Sequence, residues 1–305
     1  MTKSKYLRRK RLGQVGHFSM AGVPVLGFVL FGLFPMVMSL IFSFTDVSLS
    51  LKEEFGFVGW SNFKYIFTDP TFYKSLISTF VFSLSVPITL VISLIIAYLV
   101  EKASVGKRFF RLIFFIPYVC STVAMSLVWK QMFDTHYGIL NTCMGWLGLS
   151  PIPWISSKEM IIVSCIIMSV WSGTGFCVIM FQAALANVNK SYYEAARLDG
   201  ASEREIFFKI TLPAISPTTF YLLVMRLIGA LQVFTEPQIL AGGSLGLDNW
   251  DITVVRYIMN CINGGWGSLG LGVGSAAGWI ITLVIIVITW LNFRMGDKWT
   301  NYDMS

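Results

Sequence analysis

Few residues in the apolar stretches of this sequence are equipped for chemistry, and those few suit contact with a solute better than bond-making. Arg226 is the one charged residue in the run 210–235, and Trp171 lies near the middle of the uncharged run 160–189. An indole can stack on the apolar face of a ring-shaped solute, and a guanidinium offers N–H donors to hydroxyl or anionic groups. A charge at mid-depth in a bilayer costs about 3 kcal/mol on insertion scales, so Arg226 calls for compensation by a solute, a backbone carbonyl or a second subunit. Gln232 follows six residues later, roughly 120° around an ideal helix, and is expected to line a different wall. Ordinary packing would account for Trp171 equally well. Ser126, Ser172, Thr122 and Thr174 are expected to hydrogen-bond their own helix backbone.

Other chemistries lack their residues. The five cysteines contain no C-x-x-C pair and no metal spacing. Cys143 and Cys261 could pair outside the membrane, and Cys120, Cys165 and Cys177 read as small hydrophobes. His17 and His136 carry no motif. No His/Asp/Glu or Ser/Cys constellation gathers at one depth, which argues against a membrane enzyme; neither a metal nor a cofactor is expected. Ion-coupled carriers usually place an ionisable group at mid-depth, whereas the only acid within a predicted span is Glu236, at one end. Nor is there a G-x-x-x-x-G-K-[ST] phosphate loop, since Gly106-Lys107 is followed by Arg108 and preceded by Glu101 at the first glycine position. Energy for any transport should come from outside this chain.

The elements that position these residues follow from composition. Of 305 residues, 55% are hydrophobic and 13% charged, with mean hydropathy +0.69; soluble domains carry about 25% charged residues. The chain should therefore be dissolved largely in lipid. A bilayer core about 30 Å thick takes about 20 helical residues. Trimmed to their apolar parts, the uncharged runs predict six helices near 20–43, 76–100, 110–132, 160–184, 214–236 and 272–293. The first is too long for a cleaved signal segment. The runs lack the period-two alternation of barrel strands.

Orientation follows from Lys and Arg. The N-terminal tail, the 101–111 loop, the 185–213 loop and the C-terminus hold sixteen of the 23, and the alternate loops hold five. Both termini are expected on the cytoplasmic side. The net charge of +7 thus reports topology, not nucleic-acid binding. The expected division is a basic tail 1–17, a first helix and outer loop 18–75, a core 76–293 containing the cytoplasmic loop 190–213, and a tail 294–305.

That cytoplasmic loop has internal structure. Ser191 with Glu194, and Ser202 with Glu205, both fit S-x-x-E capping boxes. Gly200 between them suits a left-handed helix end, and Pro213 suits the first turn of the fifth span. Two short helices meeting at a glycine are predicted. The first is small-sided at Ala195 and Ala196, open to close approach by another protein; the second is held to the membrane core by Ile206, Phe207 and Ile210.

Glu194-Ala195-Ala196, Gly200, Ile210, Leu212 and Pro213 resemble, at every spacing, the EAA loop of ABC importer permeases. Phe57-Val-Gly-Trp60-Ser-Asn62-Phe, Asp69-Pro70 with Phe72, and Trp129 through Gly138-Ile-Leu-Asn141 are similar to carbohydrate-uptake permeases, above all the first of the two maltose-type permease partners. Ile239-Leu240-Ala241-Gly242-Gly243 resembles that family's Leu-Thr-x-Gly-Gly-Pro stretch, but Ala241 directly precedes the glycine pair and Ser244 replaces the proline. The resemblance implies an all-α polytopic protein of the type I importer (MetI-like) fold. It implies a coupling helix seated in an ATPase dimer, a second homologous permease, an extracytoplasmic solute-binding protein and a carbohydrate cargo, probed inside the membrane by Trp171, Arg226 and Gln232. Glycerol phosphate is an alternative cargo that Arg226 could meet, and an ion-coupled carrier a more distant one. Gly274 and Gly278, at the end of a glycine-rich run from Gly265, form a G-x-x-x-G suited to close helix contact.

Overall fold

The computed structural model describes residues 22–48, 56–102, 106–242, 252–263 and 270–300, except the Arg108 side chain. In chain order the helices are α1 (Gly22–Phe42), α2 (Ser61–Thr68), α3 (Pro70–Ser83), α4 (Ser85–Lys102), α5 (Lys107–Val119), α6 (Thr122–Met132), α7 (Ile139–Trp146), α8 (Ile161–Asn187), α9 (Lys190–Leu198), α10 (Glu203–Ala214, with a π turn at Phe207–Thr211), α11 (Ser216–Leu231), α12 (Thr235–Leu240), α13 (Val254–Ile262) and α14 (Gly270–Gly296). The chain divides into two compact units, Met1–Thr68 with Ile258–Trp279 and Asp69–Tyr257 with Ile280–Ser305.

In the first unit, none of α1 from Val29 to Phe42 is buried, as suits a helix whose solvent is lipid. Past its end, Phe44, Phe57, Trp60 and Phe63 cluster, with Phe44 edge-on to Trp60 at 5.2 Å. Asn62, 8% exposed, donates from Nδ2 to the carbonyls of Ser43 (2.9 Å) and Thr45 (2.8 Å). One amide thus satisfies the carbonyls left over where α1 stops. Glycines at the start of α14 allow backbone to approach: a Cβ at Gly272 would strike the Thr45 carbonyl, and one at Gly274 would press on Ile262 of α13. Gly278 is looser, 4.0 Å from Ile258, so close approach belongs mainly to Gly274. The earlier glycines Gly265 and Gly267 lie outside the described residues.

The second unit is built around α8, whose 27 residues are lined by α4, α5, α11 and α12. Met168, Cys177, Val178 and Phe181 of α8 join Phe82, Val86 and Ala97 of α3 and α4, Leu222 and Ala230 of α11, and Trp129 and Phe133 in one core. Small residues set the distances. Ser93 of α4 donates to the Thr174 carbonyl at 3.3 Å, and a Cβ on Gly175 would run into the Phe114 carbonyl of α5. Ser126, Ser172 and Thr174 do bond their own helix, to the carbonyls of Thr122, Ser169 and Val170. Helix α3 starts at Pro70, capped by Asp69 accepting from the Thr71 N–H at 2.8 Å. The second span therefore runs from 70 to 102, beginning six residues before the expected start. Asp69 also accepts from the Tyr257 hydroxyl at 2.7 Å.

Two expected spans are not straight. Residues 110–132 divide into α5 and α6, bent by 97°, and the fifth, α11, meets the hairpin helix α10 at a bend of 62° at Ile215. Pro117 removes an N–H inside α5, and Cys120 turns extended with ψ 150°. Four helices are long and apolar enough to cross a membrane, six if each bent pair is one span. The fifth helix ends at Leu231 instead of near 236. Cys120 and Cys143 are exposed, and Cys165, Cys177 and Cys261 are buried.

Candidate functional site

The hairpin between α8 and α10 is fixed by its own backbone. Helix α9 is capped by Asn189, whose Oδ1 accepts from the Ser191 N–H at 3.0 Å. This corrects the expected Ser191–Glu194 box: Ser191 lies inside the helix because Asn189, two residues earlier, supplies the acceptor. At the other end Ala201 N–H donates to the Ala196 carbonyl (2.9 Å) and Gly200 N–H to that of Arg197 (3.1 Å). With Gly200 at φ +79°, this is a complete Schellman closure.

Helix α10 opens on the expected box. Glu205 N–H donates to Ser202 Oγ (3.3 Å), and Ser202 N–H donates to Glu205 Oε2 (3.1 Å). The Ser202 N–H, followed by the Lys209 ammonium at 3.0 Å, pulls the Glu205 carboxyl down to about 2. Ile206, 3% exposed, and Phe207, edge-on to Tyr98 at 4.9 Å, anchor α10 to α4. Lys102 of α4 pairs with Glu203 at 2.5 Å and lies over the Tyr98 ring. The Lys102 pair holds the Glu203 carboxyl below its ordinary range.

No residue of α9 is buried. Glu194, Ala195 and Gly200 are exposed, Ala196 is half-buried, and Leu198 is 89% exposed. Ile210, Leu212 and Pro213 are half-buried at the junction with α11. Pro213 was expected to open the fifth span, but Pro217 holds that position in α11 and Pro213 sits before the bend. The predicted loop residues thus form two groups, an exposed helix and a root embedded beneath it.

The second site lies where the broken spans meet α8. Arg226 of α11 rests its guanidinium where Gly173 lacks a side chain; a Cβ there would collide with it. Its buried Nε has no hydrogen-bond partner among the described residues. Arg226 lines a cavity of about 330 Å³ with Phe82, Thr122, Ser169, Gln232 and Glu236. A smaller one, about 140 Å³, is shared by Tyr118, Cys120, Ser172, Gly173, Arg226 and Glu236.

Arg226 and Gln232 both line the larger cavity, Gln232 from just past the end of α11 at Leu231. Trp171 is not among the lining residues; it stands edge-on to Trp129 at 5.5 Å and is 39% exposed. Sequence reasoning gave Glu236 no role because it lay at a predicted helix end. The short helix α12, packed on α6 and α8, carries it back to Arg226. Among the described residues no group of three or more His, Cys, Asp or Glu is placed to hold a metal.

Residues 70–298 match the family model described as binding-protein-dependent transport system inner membrane component. The match begins at Pro70, the residue that opens α3. The chain is 32% identical over 308 residues to the probable ABC transporter permease protein YesP of Bacillus subtilis (strain 168), covering 99% of this chain and 96% of that one. It is 30% identical to the arabinooligosaccharides transport system permease protein AraP of the same organism, covering 90% and 86%. A chain in the crystal structure of a bacterial alginate ABC transporter in complex with an alginate pentasaccharide-bound periplasmic protein superposes with TM-score 0.79 at 25% identity, covering 96% of each. The apolar helices make this a multi-pass membrane protein, and the match over three quarters of its length places it in a family: the chain belongs to the binding-protein-dependent transport system inner membrane components, the permeases of ABC transporters.

Proposed function

We infer that this chain is one of two permeases in an ABC importer that carries an oligosaccharide inward across a bacterial or archaeal cytoplasmic membrane. It corresponds to the first partner of the maltose-type pair. Both termini lie in the cytoplasm, as the Lys and Arg distribution requires. A homologous second permease completes the pathway, and an extracytoplasmic binding protein delivers the sugar. A relative supports this cargo, since its name cites arabinooligosaccharides. The chain moves its solute without altering it and holds no cofactor of its own.

The observation that carries this reading is the exposed helix α9 on its rigid root. Its small side chains and Leu198 offer a knob to another protein, while Gly200, the capping box and the Tyr98–Phe207 contact fix its angle to α4 and α10. Closure of two ATPase subunits would push Glu194, Ala195 and Ala196. The rigid turn at Gly200 would pass that displacement through Ile210, Leu212 and Pro213 into α11. Arg226 and Gln232 would then meet the sugar in the cavity. Trp171, exposed beside Trp129, would offer an apolar face along the path.

The test is ATP-dependent uptake of labelled oligosaccharides by proteoliposomes holding both permeases, the ATPase and the binding protein. Glu194→Lys is expected to abolish uptake while all subunits remain assembled. Undiminished uptake and ATPase stimulation in that variant would overturn the reading.

A further inference from the structure

Resting on the sugar-permease reading, we propose that Arg226 and Glu236 form a charge-compensated subsite that accepts an uncharged polyhydroxy ring and rejects a uronate or an amino sugar. Among the described lining residues of the larger cavity, Arg226 is the only cation and Glu236 the only acid, and the same two recur in the smaller one. They come from consecutive helices, α11 and α12, that flank the end of the broken fifth span. Among the described residues they form no ion pair with each other, and Arg226 Nε is buried without an acceptor. The two charges border one space without neutralising each other by contact.

The chemistry of that space follows from what each group can do. A guanidinium only donates and a carboxylate only accepts, whereas a hydroxyl does both. Neighbouring sugar hydroxyls can accept from Arg226 and donate to Glu236, satisfying both charges. A uronate brings a group that only accepts. It meets Arg226 well but faces the Glu236 oxygens across a space where low dielectric strengthens repulsion. A protonated amino sugar has the mirrored problem with Arg226. The cavity volume, about 330 Å³, falls within the roughly 300–1,000 Å³ that small-molecule sites occupy. Thr122, Ser169 and Gln232 add uncharged polar groups suited to further hydroxyls.

The experiment measures sugar binding to the assembled importer in nanodiscs by isothermal titration, without the binding protein, so that its own selectivity does not intervene. The probes are neutral gluco-, galacto- and manno-trisaccharides, their uronate counterparts and a glucosamine trimer. Wild type should prefer the neutral member of the best-bound pair by about tenfold or more, the scale of a like charge placed at a binding site. The isosteric Glu236→Gln should raise uronate affinity and shrink that ratio. Arg226→Gln should lose the neutral probe and gain the glucosamine trimer. Glu236→Gln also removes a charge without removing volume, so folding is retained and the ratio is readable. Equal or tighter uronate binding by wild type, or an unchanged ratio in Glu236→Gln, would overturn the compensated-pair proposal while leaving sugar import standing. If wild type bound none of the saccharides, the sugar reading itself would fall with it.

Discussion

The guanidinium of Arg226 lies in the space that a side chain on Gly173 would fill. Glycine in the middle of α8 is therefore the condition for a cation on α11, and the two positions act together. Gly173→Ala should force Arg226 out of its cavity at a cost of about 1–3 kcal/mol, the usual range for overpacking. Subunit assembly should persist while oligosaccharide uptake falls at least several-fold. Gly173→Ala combined with Arg226→Ala should restore thermal stability without restoring uptake. Thermal unfolding and uptake of the three variants check this.

Gly175 makes a sharper demand, because the atom it admits is a backbone carbonyl of α5 and cannot rotate away. Gly175→Ala should lower the midpoint of thermal unfolding of the detergent-solubilised permease and reduce its yield. Gly229, with open space where its Cβ would be, provides the control: Gly229→Ala should leave the unfolding midpoint within error.

In the hairpin of α9 and α10, Gly200 holds φ +79°, a conformation that costs an L-residue roughly 1–2 kcal/mol. Gly200→Ala should weaken the coupling of ATP hydrolysis to uptake. Gly200→Pro, which also loses the N–H donated to Arg197, should abolish it. In both, membrane insertion should be normal. The ratio of sugar imported to ATP hydrolysed is the quantity to measure.

Glu205 supplies a pH dependence whose sign is fixed. Its carboxyl titrates at about 2 in the folded hairpin and near 4.3 in an unfolded chain. A depressed acid stabilises the fold above the unfolded value and loses that contribution as pH falls through the folded one. Amide protection at Ser202 and Glu205, corrected for intrinsic exchange, should thus be flat from pH 7 to about pH 5 and decline between about pH 4 and 2. Glu205→Gln should remove the decline.

Much of this was legible because hydropathy and charge report depth. The six apolar runs, the exposed hairpin, the Ser202–Glu205 box and the glycine turn all follow from local sequence. What hydropathy does not encode is direction. The bends at Cys120 and Ile215 leave the apolar runs uninterrupted, and only Pro117 and Pro217 mark them. Glu236 was passed over because its role depends on α12 folding back, a tertiary event. Ser191 fits a genuine capping pattern, but Asn189 upstream competes for the same amide and wins.

The central claim is that α9 is the seat of an ATP-hydrolysing partner. It is tested most directly by Ala195→Cys and Leu198→Cys, each made in a chain whose exposed Cys120 and Cys143 are replaced by serine and treated with a short bifunctional maleimide in the assembled importer. The account predicts capture of the ATPase subunit at both positions, with yields that change when ATP binds. Failure to capture it in an importer that still transports, or labelling of either thiol by a membrane-impermeant reagent from outside the cell, would contradict it.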